Sequence, residues 1–290
     1  MISISIIGIG RVGGALVLAL PPDKYAVEGL YGRTEQLFVA ADIERNVGKL
    51  DDLRELCSDV VIITTPDQSI GDTAALIAAR LRPGTIVLHT SGALSSTVLS
   101  TVSDSGCRVG SIHPLISIST PELGPERVKG AYFCIEGDSE AVALAEMIAH
   151  DLGGVPFKID TAKKPLYHAA AVMASGHIVA QFDAATELMT LAGPNPEFAR
   201  KLLLPLIEST VKNLSINDNA RALTGTFARA DLATFEKHIE AIRAEASEKI
   251  MELYLALGER SLDIALLQGA DPTRVEEIRK RIFLAKSGAK

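Results

Sequence analysis

The stretch that decides the fold is Ser3-Ile4-Ser5-Ile6-Ile7-Gly8-Ile9-Gly10-Arg11-Val12-Gly13-Gly14-Ala15-Leu16-Val17-Leu18-Ala19-Leu20. A β-rich run, Ile2–Ile7, passes through a glycine turn into a helical run, Gly13–Leu20. Gly8, Gly10 and Gly13 stand in a G-x-G-x-x-G spacing. The first glycine permits the tight turn, the second lets a pyrophosphate approach the backbone, and the third lets the helix pack on the strand. The free N–H groups and dipole of the helix that follows favour an anion there. Gly8, Gly10, Arg11, Val12 and Gly13 are therefore candidate dinucleotide contacts.

Outward from this turn, further strands are expected at Ala26–Tyr31, Val60–Thr65, Thr85–Thr90, Arg108–Ser111 and Ala131–Ile135, with an extra one at Val155–Ile159. Val60-Val61-Ile62-Ile63 and Thr85-Ile86-Val87-Leu88 are nearly continuous in apolar residues, as in parallel strands covered on both faces. Helices are expected at Thr34–Val39, Ser69–Leu81 and Glu140–Leu152. Strand–helix alternation predicts a doubly wound, mostly parallel α/β sheet. Beyond Asp160 the strand signal stops. Lys164–Leu191, Pro196–Leu214 and Asp231–Leu257 read as long helices, and Asp271-Pro272 opens a last one. The expected organisation is a Rossmann-type domain over 1–160 and an all-helical domain over 161–290.

The end of the second strand, Leu30-Tyr31-Gly32-Arg33-Thr34, lacks the carboxylate that usually receives an NAD ribose. Arg33 and the Thr34 hydroxyl suit a 2′-phosphate instead, which favours NADP over NAD. Thr64-Thr65-Pro66-Asp67 closes a later strand, so Thr65 and Pro66 should border the cofactor. Asp67 and Ser69 read as caps of the following helix.

Two strand ends carry polar groups: His89-Thr90-Ser91-Gly92-Ala93 and Gly110-Ser111-Ile112-His113-Pro114-Leu115. Ser91 and His113 are candidate catalytic groups and, with Gly92, candidate substrate contacts. His89 is expected to point into the core. Lys164 and His168 share a helix face at i,i+4, with Ser175 near that face. Together they could polarise a carbonyl and shuttle a proton. Arg229, in Ala222-Leu223-Thr224-Gly225-Thr226-Phe227-Ala228-Arg229, could hold a carboxylate bidentately. Asp231 behind it is a ready N-cap.

Five of these stretches in order resemble one bacterial family: the glycine motif, His89–Ala93, Gly110–Leu115, Tyr167–Ala171 and Ala222–Gly225. That family pairs a Rossmann-like domain with a helical C-terminal domain of unknown function, and its members are labelled NADP oxidoreductases, some deazaflavin-dependent. The architecture is more distantly similar to pyrroline-5-carboxylate reductase, prephenate dehydrogenase and the β-hydroxyacid dehydrogenases. The resemblance implies a helical domain of the 6-phosphogluconate-dehydrogenase-like kind that builds a homodimer and supplies part of a substrate pocket. His113-Pro114 resembles the His-Pro of prephenate dehydrogenases. Lys164 and His168 resemble the Lys and Asn of β-hydroxyacid dehydrogenases, with His in place of Asn. Thr226 and Ala230 stand where the family commonly has Pro and Gly.

Composition bounds the rest. The chain has 290 residues, 47% of them apolar and 22% charged, which excludes a disordered chain. A net charge of −7 argues against a nucleic-acid partner. No apolar run is long enough for a membrane span. Cys57, Cys107 and Cys134 are widely spaced, without zinc or redox-motif spacing, and are expected as buried thiols in a reducing cytoplasm. The expected function is hydride transfer between NADP(H) and a small carbonyl, imine or hydroxy acid. The alternative is a non-catalytic NADP-binding sensor or scaffold.

Overall fold

The computed structural model describes residues 1–287. The chain forms two compact units, Met1–Ser175 and a second from Gly176 onward. The first is a nine-stranded sheet in the order β3-β4-β2-β1-β5-β6-β7-β8-β9. Its strands are β1 (Ile2–Ile7), β2 (Tyr25–Gly32), β3 (Gln36–Ala40), β4 (Ile43–Lys49), β5 (Val60–Ile63), β6 (Ile86–His89), β7 (Arg108–Pro114), β8 (Tyr132–Gly137) and β9 (Val155–Lys158). Only the β3–β4 and β7–β8 pairs are antiparallel. The mostly parallel, doubly wound sheet expected from the sequence is therefore present. The helices of this unit are α1 (Arg11–Ala19), α2 (Asp67–Ala78), α3 (Ser100–Ser103), α4 (Gly124–Arg127), α5 (Ser139–Asp151) and α6 (Lys164–Met173).

The two-residue period of a strand divides each continuous apolar run between two cores. Val60 and Ile62 of β5 join Ile4, Ile6 and Leu88 on one face, beneath Leu16 of α1 and Ala145 and Ile148 of α5. Val61 and Ile63 join Ile7, Val87 and Val109 on the other, beneath Ile70, Ala74 and Ile77 of α2. Each such fully buried side chain contributes roughly 1.5–3 kcal/mol relative to exposure. Ser5 interrupts the β1 run and is satisfied by Ser58, oxygen to oxygen at 2.8 Å.

The first departure from expectation lies at Thr34–Val39. It is not a helix. Gln36–Ala40 is β3, paired antiparallel to β4 through a two-residue turn in which Ala41 has φ 50°. The alternation decides it: Phe38 and Ala40 are buried while Leu37 and Val39 are exposed. Period 2 outweighed the helical reading of so short a segment. Phe38 then packs against α1 at Gly14, where an added methyl would lie 2.9 Å from its ring and 2.9 Å from Pro121 Cβ. β4 runs parallel to β2, with Tyr31 opposite Gly48 and Gly32 opposite Lys49.

The second unit is helical: α7 (Gly176–Leu191), α8 (Pro196–Ile216), α9 (Asn219–Ala222), α10 (Gly225–Ala228), α11 (Leu232–Glu245), α12 (Glu248–Leu267) and α13 (Pro272–Lys286). Two helices expected as continuous are broken. Lys164–Leu191 ends at Met173 and resumes at Gly176, across Ala174-Ser175 and just before a glycine, a weak helix former. Asp231–Leu257 breaks at Ala246, which is extended, and Ser247 caps α12 by accepting from Ile250 N at 3.4 Å. Asn195 and Asp231 cap α8 and α11 as expected. Asp67 does not cap α2. It is the first helical residue, behind Pro66. Phe235, Leu255, Leu262, Val275, Ile278 and Ile282 make this unit's core. Among the described residues no helix is long and apolar enough to cross a membrane.

Candidate active site

The strand register aligns the tips that carry the chemistry. Ile7 lies opposite Ile63, Ile63 opposite His89, and His89 opposite Ser111. The loops following β1, β5, β6 and β7 therefore leave the sheet side by side at its carboxyl edge, where open α/β sheets bind ligands.

The glycine turn fits a dinucleotide. Gly8 has φ 100°, and a methyl there would meet Thr65 N at 2.8 Å. A methyl on Gly13 would collide with the Gly8 carbonyl and the Thr64 hydroxyl. That hydroxyl donates to the Gly8 carbonyl and pins the turn. Gly10 differs, since nothing lies within 4 Å of a methyl built there. The first turn of α1 has neither a side-chain cap nor an acidic residue, so its N–H groups are free for an anion. Thr65 Oγ1 is buried without a partner. Arg33 and Thr34, at the end of β2, are exposed, as are Arg11 and Pro66; Val12 is half-buried.

Beyond β6 and β7 lies a polar cluster. Lys164, on α6, is wholly buried. Its ammonium donates to Ser91 O at 3.0 Å, Ser111 Oγ at 2.5 Å and Glu136 Oε1 at 3.2 Å. An ammonium has three protons, and all three are used. Glu136, cross-strand from Ser111, also accepts from Ser111 Oγ at 2.7 Å, Ser96 N at 2.9 Å and Ser96 Oγ at 2.8 Å. Burial works against its charge, but Ser111, Lys164 and Ser96 hold its carboxyl below the ordinary value. Burial likewise lowers the Lys164 ammonium, against the pull of Glu136. With every donor matched to an acceptor, the pair is an ion pair at neutral pH.

Three imidazoles surround this cluster's outer side. His89 is fully buried, as expected, and accepts from Ser91 N at 3.1 Å. Burial, with Lys164 nearby, pushes its pKa down to about 3. His113 is lowered to about 4 by burial, with His168 and Lys164 adding to the effect. Its Nδ1 lies 2.7 Å from the Tyr167 hydroxyl. His168, one turn along α6 from Lys164, stands with its ring 5.8 Å from that of His113 and nearly perpendicular to it. A methyl on Gly92 would lie 2.5 Å from His168 Nδ1 and 2.7 Å from His113 Nε2. Gly92 is thus the residue whose missing side chain lets both nitrogens converge. His168 Nδ1 is buried and unpartnered. Ser91 Oγ accepts from Ala93 N and Leu94 N at 3.2 and 3.0 Å, which fixes the turn that carries Gly92.

The structure thus gathers Ser91, Gly92, His113, Lys164 and His168. It does not bring Ser175 to them: that residue is exposed beyond the end of α6 and donates to Ala171 O. Arg229 belongs to the second unit, where it lines a cleft of about 310 Å³ with Asp231, Arg274 and Glu277. Cys57 is exposed rather than buried; Cys107 and Cys134 are buried. Sequence reasoning gave no role to Glu136, Ser111 or Tyr167. A carboxylate ending an apolar strand, in Phe133-Cys134-Ile135-Glu136-Gly137, was the available signal for Glu136. Nothing local marks Tyr167.

A Rossmann-like family model matches residues 1–114, and the model of a domain of unknown function, DUF2520, matches residues 131–261. The chain combines a Rossmann-like domain with a DUF2520 domain. Among solved structures it is similar to a protein of Thermotoga maritima at 25% identity and TM-score 0.70, covering 91% of this chain and 99% of that one. It is also similar to a "putative NADP oxidoreductase" of Bacteroides fragilis, at 21% identity and TM-score 0.71, over 90% and 98% of the two chains. A reductive aminase of Aspergillus terreus in complex with NADPH matches at 17% identity and TM-score 0.63, over 92% and 98%. No curated protein matches.

Proposed function

We propose that the protein is an NADP(H)-dependent oxidoreductase acting on a small carbonyl, imine or hydroxy acid. The observation that carries this reading is the adjacency of two sites along one sheet edge. The pinned glycine turn, with Gly10 open, leads by strand register to the converging nitrogens of His113 and His168. Solved structures of this fold that are described with NADP or NADPH, including a pyrroline carboxylate reductase of Plasmodium falciparum, support it.

Gly8, Gly10, Arg11, Val12, Gly13, Thr65 and Pro66 would hold the dinucleotide, and Arg33 and Thr34 its 2′-phosphate. When bound, NADP(H) supplies or takes up the hydride. Ser91, Gly92 and His113 line the substrate side. We assign proton donation to His168. His113, with its pKa near 4, is neutral around pH 7 and serves as a hydrogen-bonding group. Lys164 does not reach the substrate in this reading. Its donors are spent on Ser91, Ser111 and Glu136, so it positions the Ser91–Gly92 turn and α6.

The second unit completes the proposal as the dimerisation and substrate domain. α7 and α8 bury only Thr186 and Ala199 between them, while Leu202, Leu204, Leu206 and Val211 of α8 are exposed. So much apolar surface fits a homodimer interface. The free thiols fit a cytoplasmic enzyme.

Calorimetric titration with NADPH and NADH, beside an Arg33→Ala variant, tests the cofactor assignment. Tight NADPH binding that Arg33→Ala weakens at least tenfold is the expected result, followed by turnover with oxo acids, ketones or imines. Binding of neither nucleotide would end the oxidoreductase reading. Binding without turnover across such a panel would favour the sensor.

A further inference from the structure

We propose that Tyr167 sets the tautomer of His113 so that His113 Nε2–H and His168 Nδ1–H form a paired donor site for one oxygen, which makes the substrate a carbonyl compound or its alcohol rather than an imine. This rests on the oxidoreductase reading and narrows its substrate class.

The Tyr167 hydroxyl lies 2.7 Å from His113 Nδ1. A neutral imidazole has one N–H and one bare nitrogen, and the partner of one nitrogen fixes the state of the other. Cys134 contacts the same hydroxyl and stands cross-strand from His113. Burial keeps Cys134 a protonated thiol. A protonated thiol is a weak acceptor whereas a neutral imidazole nitrogen is a strong one, so the Tyr167 O–H donates to His113 Nδ1. The proton of His113 is left on Nε2, the nitrogen that faces Gly92.

His168 Nδ1 faces the same point. His168 Nδ1 is buried without a partner, and the two rings are nearly perpendicular. The arrangement suits a third atom that accepts from both. An oxygen has two lone pairs and accepts two hydrogen bonds. An imine nitrogen has one lone pair, and an iminium has none and carries charge that two N–H groups repel. Oriented donors of this kind strengthen their bonds as charge develops on a carbonyl oxygen. Gly92 is what admits the pair, and Lys164, whose donors are all engaged, adds no further donor.

The test is two-bond ¹H–¹⁵N NMR of the full-length protein labelled with ¹⁵N-histidine, at pH 8 with NADP⁺ present. His113→Gln and His168→Gln assign the signals among the six histidines. The expected spectrum shows His113 as a single Nε2–H tautomer and His168 protonated at Nδ1. A bare His113 Nε2 or a bare His168 Nδ1 overturns the paired-donor site. Tyr167→Phe should replace the single His113 tautomer by a mixture; an unchanged His113 pattern overturns the role of Tyr167. Cyclohexanone should move both His113 and His168 resonances, and cyclohexylamine neither. Movement with the amine, or with neither compound, overturns the carbonyl assignment. NADPH calorimetry on the same sample separates the two readings. Nucleotide binding with the wrong tautomers removes this proposal alone, whereas the right tautomers without nucleotide binding remove the cofactor reading.

Discussion

Lys164 Nζ lies 3.2 Å from Glu136 Oε1, with the two side chains 0% and 4% exposed. A buried ion pair adds little net stability over well-packed apolar residues, but removing one member strands the other charge, at about 3–5 kcal/mol. Lys164→Met and Glu136→Gln are each expected to cost about 3 kcal/mol or more in urea unfolding. Lys164→Met combined with Glu136→Leu should cost less than the sum of the single changes. Single-variant losses below about 1 kcal/mol would show that the pair is not the latch between α6 and the sheet.

Gly10 and Gly13 separate folding from binding. Gly13→Ala drives a methyl into the Gly8 carbonyl and should lower the melting temperature. Gly10→Ala meets no protein atom, so its melting temperature should match wild type while NADPH affinity falls at least tenfold. Unchanged NADPH affinity in Gly10→Ala would place the pyrophosphate elsewhere.

Arg33 is exposed and forms no ion pair among the described residues. Arg33→Ala is expected to weaken NADPH binding tenfold or more, about 1.4 kcal/mol, and to leave NADH binding unchanged. An equal loss for both nucleotides would mean that Arg33 does not read the 2′-phosphate. Calorimetry with both cofactors decides it.

His89 and His113 give a pH dependence with a defined sign. Their folded pKa values, about 3 and about 4, lie below the ordinary 6.5. As pH falls below 6.5 the unfolded chain takes up protons that the folded chain refuses. Stability is therefore full above pH 6.5 and declines toward pH 4. Each histidine contributes a slope of roughly 1.4 kcal/mol per pH unit at most. Urea midpoints between pH 7.5 and 5, a window above the carboxylate range, should show the decline, and His89→Gln should reduce it. A flat profile would mean that these rings protonate in the folded state.

Leu206 and Val211, 62% and 54% exposed on α8, test the dimer. Leu206→Asp combined with Val211→Asp should halve the mass measured by light scattering without loss of helical circular dichroism. A wild-type monomer would remove the homodimer proposal.

The glycine turn, the apolar strands and the caps at Asn195 and Asp231 were legible because each is a local device with a local signature. Thr34–Val39 is ambiguous in the sequence because six residues carry few periods; pairing with β4 fixes it as a strand and turns its alternation into buried Phe38 and Ala40 beside exposed Leu37 and Val39. The breaks at Ala174–Ser175 and Ala246–Ser247 leave the apolar spacing on either side intact, so periodicity passes over them.

By itself the sequence determined seven of the sheet's nine strands, the glycine turn with its anion-ready helix, and the residues available at the strand tips, since strand period, glycine chemistry and chain order act over short distances; β3 and β4 emerged only from their pairing with each other. Only the tertiary structure decided their roles. Cross-strand register puts Glu136 opposite Ser111, and α6 lowers Lys164 onto both, which turns a candidate proton donor into a buried ion pair. The same docking brings Tyr167 to His113 and His168 to Gly92. These partners lie tens of residues apart in the chain, and the burial that sets their charge states exists only once sheet and helix have packed.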